Sequence, residues 1–463
     1  MVGIVINRLW ALCCATVALT IFVPIVRTQQ PLAGGEAALN STEINHRNDD
    51  YEYEYDAEWP RLNRTLGSVS AVAFDPSGNV VIFHRGRHVW NLLSFDQQNR
   101  YLQEKDGPIG ESTLLIFHNE SGALVGEWGA NLFFMPHGLT IDRNNSYWIT
   151  DVALHQVFKF DLTVSSTNPV MTLGVRFEPG KDHEHFCKPT SVAVLENGDF
   201  FVADGYCNGR VNKYSADGRL ILSWGKNSFV LTRTFMLPAG PIPVNFFAIP
   251  HALTYAADKN LICVADREQG RVQCFNANNG AFHSMYESPR IGSRLFSVKY
   301  IPRDGGLLYV VNGPQFTTAE PVNGLVMSMT SKEIVGRFFP EHAFSNPHEL
   351  AVSDDGAQVY VAELNPHKVH KFKRKSGLPE IPTPIILDPA ESKVETFPPS
   401  DQPVLYTGAL TTIPIVVSLV GIGCMVVCLF RTFCVKSRGG RRQRFSTPSE
   451  NISLREMGED REA

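Results

Sequence analysis

Six stretches of this chain can be laid over one another, and that repetition limits the fold more than any single motif. They are SAVAFDPSGNVVIFHRGRHVW from residue 70, HGLTIDRNNSYWITDVALHQVFKF from 137 and TSVAVLENGDFFVADGYCNGRVNKY from 190. HALTYAADKNLICVADREQGRVQCF from 251, FSVKYIPRDGGLLYVVNGPQF from 296 and HELAVSDDGAQVYVAELNPHKVHKF from 348 complete the set. Each reads as an apolar strand, a polar turn carrying Asp, Asn or Gly, and a second apolar strand. Most continue through a polar loop to a third strand such as RVNKY. The strands are short and rich in β-branched and aromatic residues, with no long helical period between them. The copies recur at roughly 50–65 residues, the scale of one propeller blade. A single small meander cannot bury both faces. Six set radially can, and closing the ring protects the strand edges. The pattern predicts an all-β chain, a six-bladed β-propeller over residues 65–375.

The flanks read differently. Residues 1–28 hold an apolar run, LWALCCATVALTIFVPIV, preceded by Arg8, which reads as a signal peptide or an uncleaved anchor. Residues 29–64 are polar and acidic, ending in NDDYEYEYDAEWP, and read as disordered, with tyrosines open to sulfation. Residues 376–405 are Pro-rich and read as an extended stalk. Residues 409–430 are uncharged and long enough to span a bilayer, and the basic segment 431–463 that follows predicts a cytosolic tail. The expectation is a type I single-pass protein with its bulk in the secretory lumen or outside the cell, on a granule membrane or the cell surface. The net charge of −5 carries no basic excess for nucleic acid.

Cysteine and sequon usage agree with that compartment. Between the two apolar runs lie only Cys187, Cys207, Cys263 and Cys274, an even number in an oxidising space, which suggests two disulfides. A Cys187–Cys207 pairing would hold the loop that carries Tyr206, and Cys263 and Cys274 flank Arg267. Luminal glycosylation sequons fall at Asn40, Asn63, Asn119 and Asn144, while Cys434 beside the span is open to palmitoylation. The basic run KFKRKSG at 371–377 is a candidate processing site for release of a soluble form.

The repeat register sorts the chemistry-bearing residues into columns. The first reads Ser70, His137, Thr190, His251, Phe296 and His348. Histidine fills every second copy, after Pro136, Pro250 and Pro347, which fix the entry of each strand. The first strand of a blade lines the channel, and alternate blades of six stand about 120° apart. Three imidazoles can then meet on the axis, the ligand set of a zinc site with an open position. A second column, after the second strand, contains His84-Arg85, Asp151, Asp204-Gly205-Tyr206, Asp266-Arg267, Asn312 and Glu363. The recurring acid reads as structural, bonding its own turn. Arg85 and Arg267 at a channel mouth suit a carboxylate, which guanidinium grips with two bonds. Tyr206 beside a metal and an arginine suits a base.

At these residues the chain resembles the peptidyl-α-hydroxyglycine α-amidating lyases. VIFHRGRHVW, MPHGLTID, YWITDVALHQVFKFD, HFCKPTSVAV, VADGYCNGRV, CVADREQGRVQCF and NPHELAVSDDG carry the resemblance, which covers about residues 65–375. It implies a propeller of NHL-like repeats, zinc on His137, His251 and His348, a catalytic Tyr206, substrate-binding Arg85 and Arg267, and disulfides Cys187–Cys207 and Cys263–Cys274. It also implies a structural calcium held by the backbone carbonyls of Val72 and Leu139 and by Glu349, where the family has Asp and this chain one more methylene. The implied reaction splits peptides ending in α-hydroxyglycine into an α-amidated peptide and glyoxylate. A separate copper monooxygenase is then expected to supply the substrate, since six blades use the whole folded part. The segment VLTRTFMLPAGPIPVNFFAIPH before His251 is longer and more apolar than the family pattern. The competing reading is a non-enzymatic, membrane-anchored propeller that serves as a binding ectodomain, for which the channel-mouth residues would be scattered rather than aligned.

Overall fold

The computed structural model describes residues 51–229, 242–315 and 321–375. The chain divides into Met1–Asn48 and Asp49–Ala463, and every described residue belongs to the second unit.

Runs such as VVIFH are apolar at consecutive positions because both faces of each strand are covered. Val81 and Phe83 pack with Tyr147 and Ile149 of the next sheet, while Val80 and Ile82 pack with Tyr360 and Ala362 on the other side. Side chains alternate faces along a strand, so one strand serves two cores. The same split recurs elsewhere. Trp148 and Val157 meet Val192 and Val202, Phe201 and Ala203 meet Leu253 and Val264, Cys263 meets Val298, and Val311 meets Val361. The hydrophobic core lies between successive sheets rather than at one centre.

Four sheets are separate four-stranded antiparallel meanders: Val69–Phe74 to Leu124–Trp128, Pro136–Ile141 to Met171–Leu173, Pro189–Val194 to Leu220–Trp224, and Pro250–Ala256 to Phe282–Glu287. An eight-stranded sheet contains the meander Leu295–Ile301 to Ile334–Phe338 and the strands Pro347–Val352, Gln358–Glu363 and Lys368–Arg374. The leading strands touch in cyclic order, from Val69–Phe74 through Pro136–Ile141, Pro189–Val194, Pro250–Ala256, Leu295–Ile301 and Pro347–Val352 back to the first. The architecture is all-β and propeller-like.

The acidic segment departs from its sequence reading. Tyr51–Asp56 is a strand that joins the two halves of the eight-stranded sheet, antiparallel to Lys368–Arg374 and parallel to Ile334–Phe338. Tyr51 is buried, Glu52 and Glu54 are exposed, and the Tyr53 hydroxyl donates to the Gly356 carbonyl at 2.7 Å. The reading of 29–64 as disordered is corrected for these residues, because alternate tyrosines find a buried face while the acids stay in water. The basic cluster also changes character. Lys373 and Arg374 lie in a strand paired on both sides, and Lys373 sits 3.3 Å from Asp56 and 3.4 Å from Glu120. Asn63 and Asn144 are exposed and Asn119 is half-buried. The signal or anchor, stalk, span, tail, Asn40 and Cys434 lie outside the described residues, as do residues 230–241 of the long segment before His251. Among the described residues no helix is long and apolar enough to cross a membrane.

Candidate metal centre

Every leading strand carries a register irregularity at the same place. Pairing skips from Val69 to Ala71, Pro136 to Leu139, Pro189 to Ser191, Pro250 to Ala252, Leu295 to Ser297 and Pro347 to Glu349. The skipped residues include Ser70, His137, Thr190, His251, Phe296 and His348, the whole first column. A bulge frees one residue from the ladder and re-aims its side chain. Here it turns the three histidines toward one another. Their ring centroids lie 4.9, 4.7 and 4.6 Å apart, and one nitrogen of each falls within 4.8 Å of the others. All three are buried.

The non-histidine copies explain the alternation. His137 Nδ1 donates to the Thr190 carbonyl at 2.9 Å, His251 Nδ1 to that of Phe296 at 2.6 Å, and His348 Nδ1 to that of Ser70 at 2.6 Å. A carbonyl only accepts, so Nδ1 bears a proton and Nε2 is the nitrogen left to ligate. Each of the three histidines is thus oriented by the next sheet. Gly138 belongs to this arrangement, since a Cβ there would stand 2.3 Å from the Thr190 carbonyl oxygen. Three converging imidazoles match the donor chemistry of zinc.

The acid column does more than bond its own turn. Asp151 takes the N–H groups of Ala153 and Leu154 in that turn, and also those of Phe134 and Met135, which lead into Pro136-His137. Asp266 takes Ala248 N–H at 2.8 Å, before Pro250-His251. Glu363 takes Ser345 and Asn346 N–H, before Pro347-His348. Burial pushes the Asp151 and Asp204 carboxyls up, and that of Asp266 up to about 6, against the pull of these bonds and, for Asp204 and Asp266, of Arg210 and Arg271.

Tyr206 stands in the turn after Phe200–Asp204, tied by the Cys187–Cys207 disulfide. Its hydroxyl lies 3.0 Å from His137 Nε2 and 3.4 Å from His251 Nε2, and accepts from Arg267 Nη1 at 3.2 Å. Arg267 is fully buried, with its guanidinium 5.1 Å over the Tyr206 ring and 5.0 Å over Phe296. It follows strand Leu261–Asp266, whose Cys263 is bridged to Cys274 directly across the sheet. Arg85 is also buried. It donates from Nε to the Pro136 carbonyl at 2.9 Å and lies 5.3 Å over Trp90. The Trp90 ring packs 4.9 Å from that of Tyr206. The structure therefore brings the three histidines, Tyr206 and Arg267 into direct contact, and Arg85 joins them through Trp90.

Other residues at the site escaped the sequence reading. Glu268 Oε1 accepts from Arg267 Nε at 2.8 Å and from Arg294 Nη2 at 2.8 Å, so one carboxylate holds two arginines. Lys188, beside Cys187, is buried with its ammonium 3.9 Å from the Phe95 ring. The motif around Trp90 was in view but suggested no role for it. Arg294 lies on no repeated column, so no sequence signal points to it. The expected calcium residues sit nearby. Val72 and Leu139 lie in leading strands, and the buried Glu349 accepts from Ser297 Oγ at 2.5 Å with Lys299 Nζ at 4.0 Å. Carbonyl and carboxylate oxygens suit calcium, yet an ammonium already faces this carboxylate.

Comparison with known proteins adds to this picture. The NHL repeat model matches residues 186–214 and 247–275, the opening strands of the third and fourth sheets. The chain is 50% identical to peptidyl-alpha-hydroxyglycine alpha-amidating lyase 1 of Drosophila melanogaster over 364 residues, 76% of this chain and 63% of that protein. It is 40% identical to lyase 2 of the same species, over 66% of this chain and 71% of that one. It is 44% identical to peptidyl-glycine alpha-amidating monooxygenase B of Xenopus laevis, over 74% of this chain and 37% of that protein. The match thus spans less than two thirds of the length of the first and last of these relatives.

Proposed function

The chain belongs to the peptidyl-alpha-hydroxyglycine alpha-amidating lyase family, and from that premise we propose that it cleaves peptidyl-α-hydroxyglycine to an α-amidated peptide and glyoxylate. One observation carries the reading: the Tyr206 hydroxyl lies within hydrogen-bond distance of two histidine Nε2 atoms and of Arg267. A phenolate so placed can remove the proton of a substrate hydroxyl held beside the three histidines. As the carbonyl of glyoxylate forms, the bond between Cα and nitrogen breaks and its electron pair passes to the amide nitrogen. The proton taken by Tyr206 returns to that nitrogen, so no external acid, base or oxidant is needed. Arg267, fixed by Glu268, favours the phenolate and, with Arg85, holds the substrate carboxylate. Burial of both arginines strengthens that grip. Zinc held by His137, His251 and His348 supplies Lewis-acid stabilisation of negative charge on oxygen.

The same reading includes several finer points. The leading strands in cyclic contact are six blades of a closed propeller. Calcium is held at Val72, Leu139 and Glu349, with Lys299 as its competitor, and Lys299→Met is expected to raise bound calcium. The chain acts in the secretory pathway, anchored through residues 409–430, and a separate monooxygenase supplies its substrate. The activity is tested by incubating the zinc-loaded protein with a peptidyl-α-hydroxyglycine at a pH where spontaneous breakdown is slow. Glyoxylate and amidated peptide in equal amounts are expected. Release no faster than in buffer overturns the proposal.

A further inference from the structure

We propose that the loop Gly86–Glu111 forms an apolar rim that binds the side chains preceding the hydroxyglycine, so that peptides apolar at those positions are preferred. The inference rests on the lyase reading and names a substrate class for it. Val89, Leu92, Leu93 and Leu102 are 53, 50, 74 and 56% exposed, four of the eleven exposed large apolar residues among those described. The other seven lie elsewhere, paired at Leu124 and Val125 and at Val164 and Val170 and single at Ile221, Val244 and Phe339, whereas these four share one loop.

The loop is built, not frayed. Phe95 and Tyr101 form an antiparallel bridge, and Leu102 N–H donates to the Ser94 carbonyl at 2.9 Å. Gln103 Nε2 donates to the Leu93 carbonyl at 3.2 Å, and Ser94 Oγ to that of Val89 at 3.2 Å. These bonds fix the backbone at Val89, Leu93 and Leu102. Beneath them Trp90, Phe95 and Tyr101 are buried in the core. Folding is therefore served by the underside, and the exposed leucines are left over. A fixed, exposed apolar cluster marks a binding surface.

Its position says what it binds. The loop begins beside Arg85, and Trp90 packs 4.9 Å from Tyr206. Because Trp90 joins the loop to Tyr206, this rim is the apolar surface next to a peptide whose last residue reaches Tyr206. At about 3.5 Å per extended residue, the two or three residues before the hydroxyglycine cover roughly 7–10 Å. Two other occupants fit less well. The loop carries Arg87, Arg100 and Lys105 against Asp96, Glu104, Asp106 and Glu111, which gives no pull toward an anionic membrane. Four side chains also fall far short of the roughly 800 Å² per partner of a stable dimer.

The test compares the full chain with its Leu92→Ser/Leu93→Ser variant. Both positions are exposed and outside the catalytic constellation. The probes are two labelled glycine-extended peptides that keep the terminal carboxylate but lack the hydroxyl. One has Leu-Val before the glycine and the other Ser-Asn, and binding is read by fluorescence anisotropy. The wild type is expected to bind the apolar probe about tenfold more tightly, and the variant to lose that preference. Equal binding by the wild type, or a preference that survives in the variant, overturns the inference. So does a variant that loses only association with phosphatidylcholine vesicles or self-association in sedimentation. Glyoxylate release from an N-acyl-α-hydroxyglycine, which has no preceding residues, is expected to be equal in both proteins. If the wild type releases none, the lyase reading fails, while anisotropy still decides the rim.

Discussion

Replacing Glu268 by Gln removes one negative charge and leaves the side chain's shape. In the native protein that carboxylate takes Arg267 Nε at 2.8 Å and Arg294 Nε and Nη2 at 3.0 and 2.8 Å. Both guanidiniums then remain buried, each 5.0 Å over Phe296, with no anion shared between them. Losing one partner of a buried ion network costs about 3 kcal/mol of stability. The catalytic consequence is separate. Arg267 Nη1 reaches Tyr206 at 3.2 Å while Glu268 holds its Nε. A shift of about 1 Å at such a contact lowers kcat/KM on the order of 100-fold. The assay is steady-state glyoxylate release at a temperature where urea unfolding shows the variant folded. Arg294→Lys keeps the charge but not the forked grip, and its rate is expected to fall between those of wild type and Glu268→Gln. A folded Glu268→Gln protein within twofold of wild type refutes the argument.

Three further outcomes follow from particular contacts. Burial and the neighbouring Lys188 push His155 down to about 3, so it is neutral in the fold and protonates below about 6.5 when unfolded. Its contribution to stability is therefore full at neutral pH and is lost as pH falls, by about 2 kcal/mol at pH 5, and His155→Gln should flatten that slope in urea titrations from pH 7 to 4. Cys207→Ser opens a bridge between residues 20 apart and should cost about 3 kcal/mol, with a fall in kcat because Tyr206 is the next residue. Cys274→Ser should cost stability with a smaller change in kcat, and equal kcat losses would contradict the placement of Tyr206. Deleting residues up to Asp56 strips the strand that joins the eight-stranded sheet. Trypsin should then cut at Lys373–Lys375 at least tenfold faster than in the intact chain, which is read by the rate of band loss.

The repeats were legible because strand period and blade spacing are both written in side chains. The histidine column was legible for the same reason, since one register applied six times set His137, His251 and His348 apart from Ser70, Thr190 and Phe296. What those three other residues do was hidden, because they act through backbone carbonyls that carry no sequence signature. The bulge that aims the column is likewise a property of pairing. Tyr51–Asp56 was misread because acidity outweighed pattern, although YEYEYD alternates with the period of a strand. Glu268 was adjacent to a chosen residue, yet its partner Arg294 is brought to it only by the fold. Glu349 was singled out as a departure from the family, and Lys299 beside it became visible only in three dimensions.

One titration addresses both the metal and the reaction. Zinc is removed from the purified protein with a chelator and restored stepwise while metal content and glyoxylate release from a peptidyl-α-hydroxyglycine are followed together. The account predicts that activity rises in proportion to zinc, saturates near one zinc per chain, and does not return in His251→Ala. Full turnover by metal-free protein, or a stoichiometrically loaded protein that releases glyoxylate no faster than buffer, would contradict it.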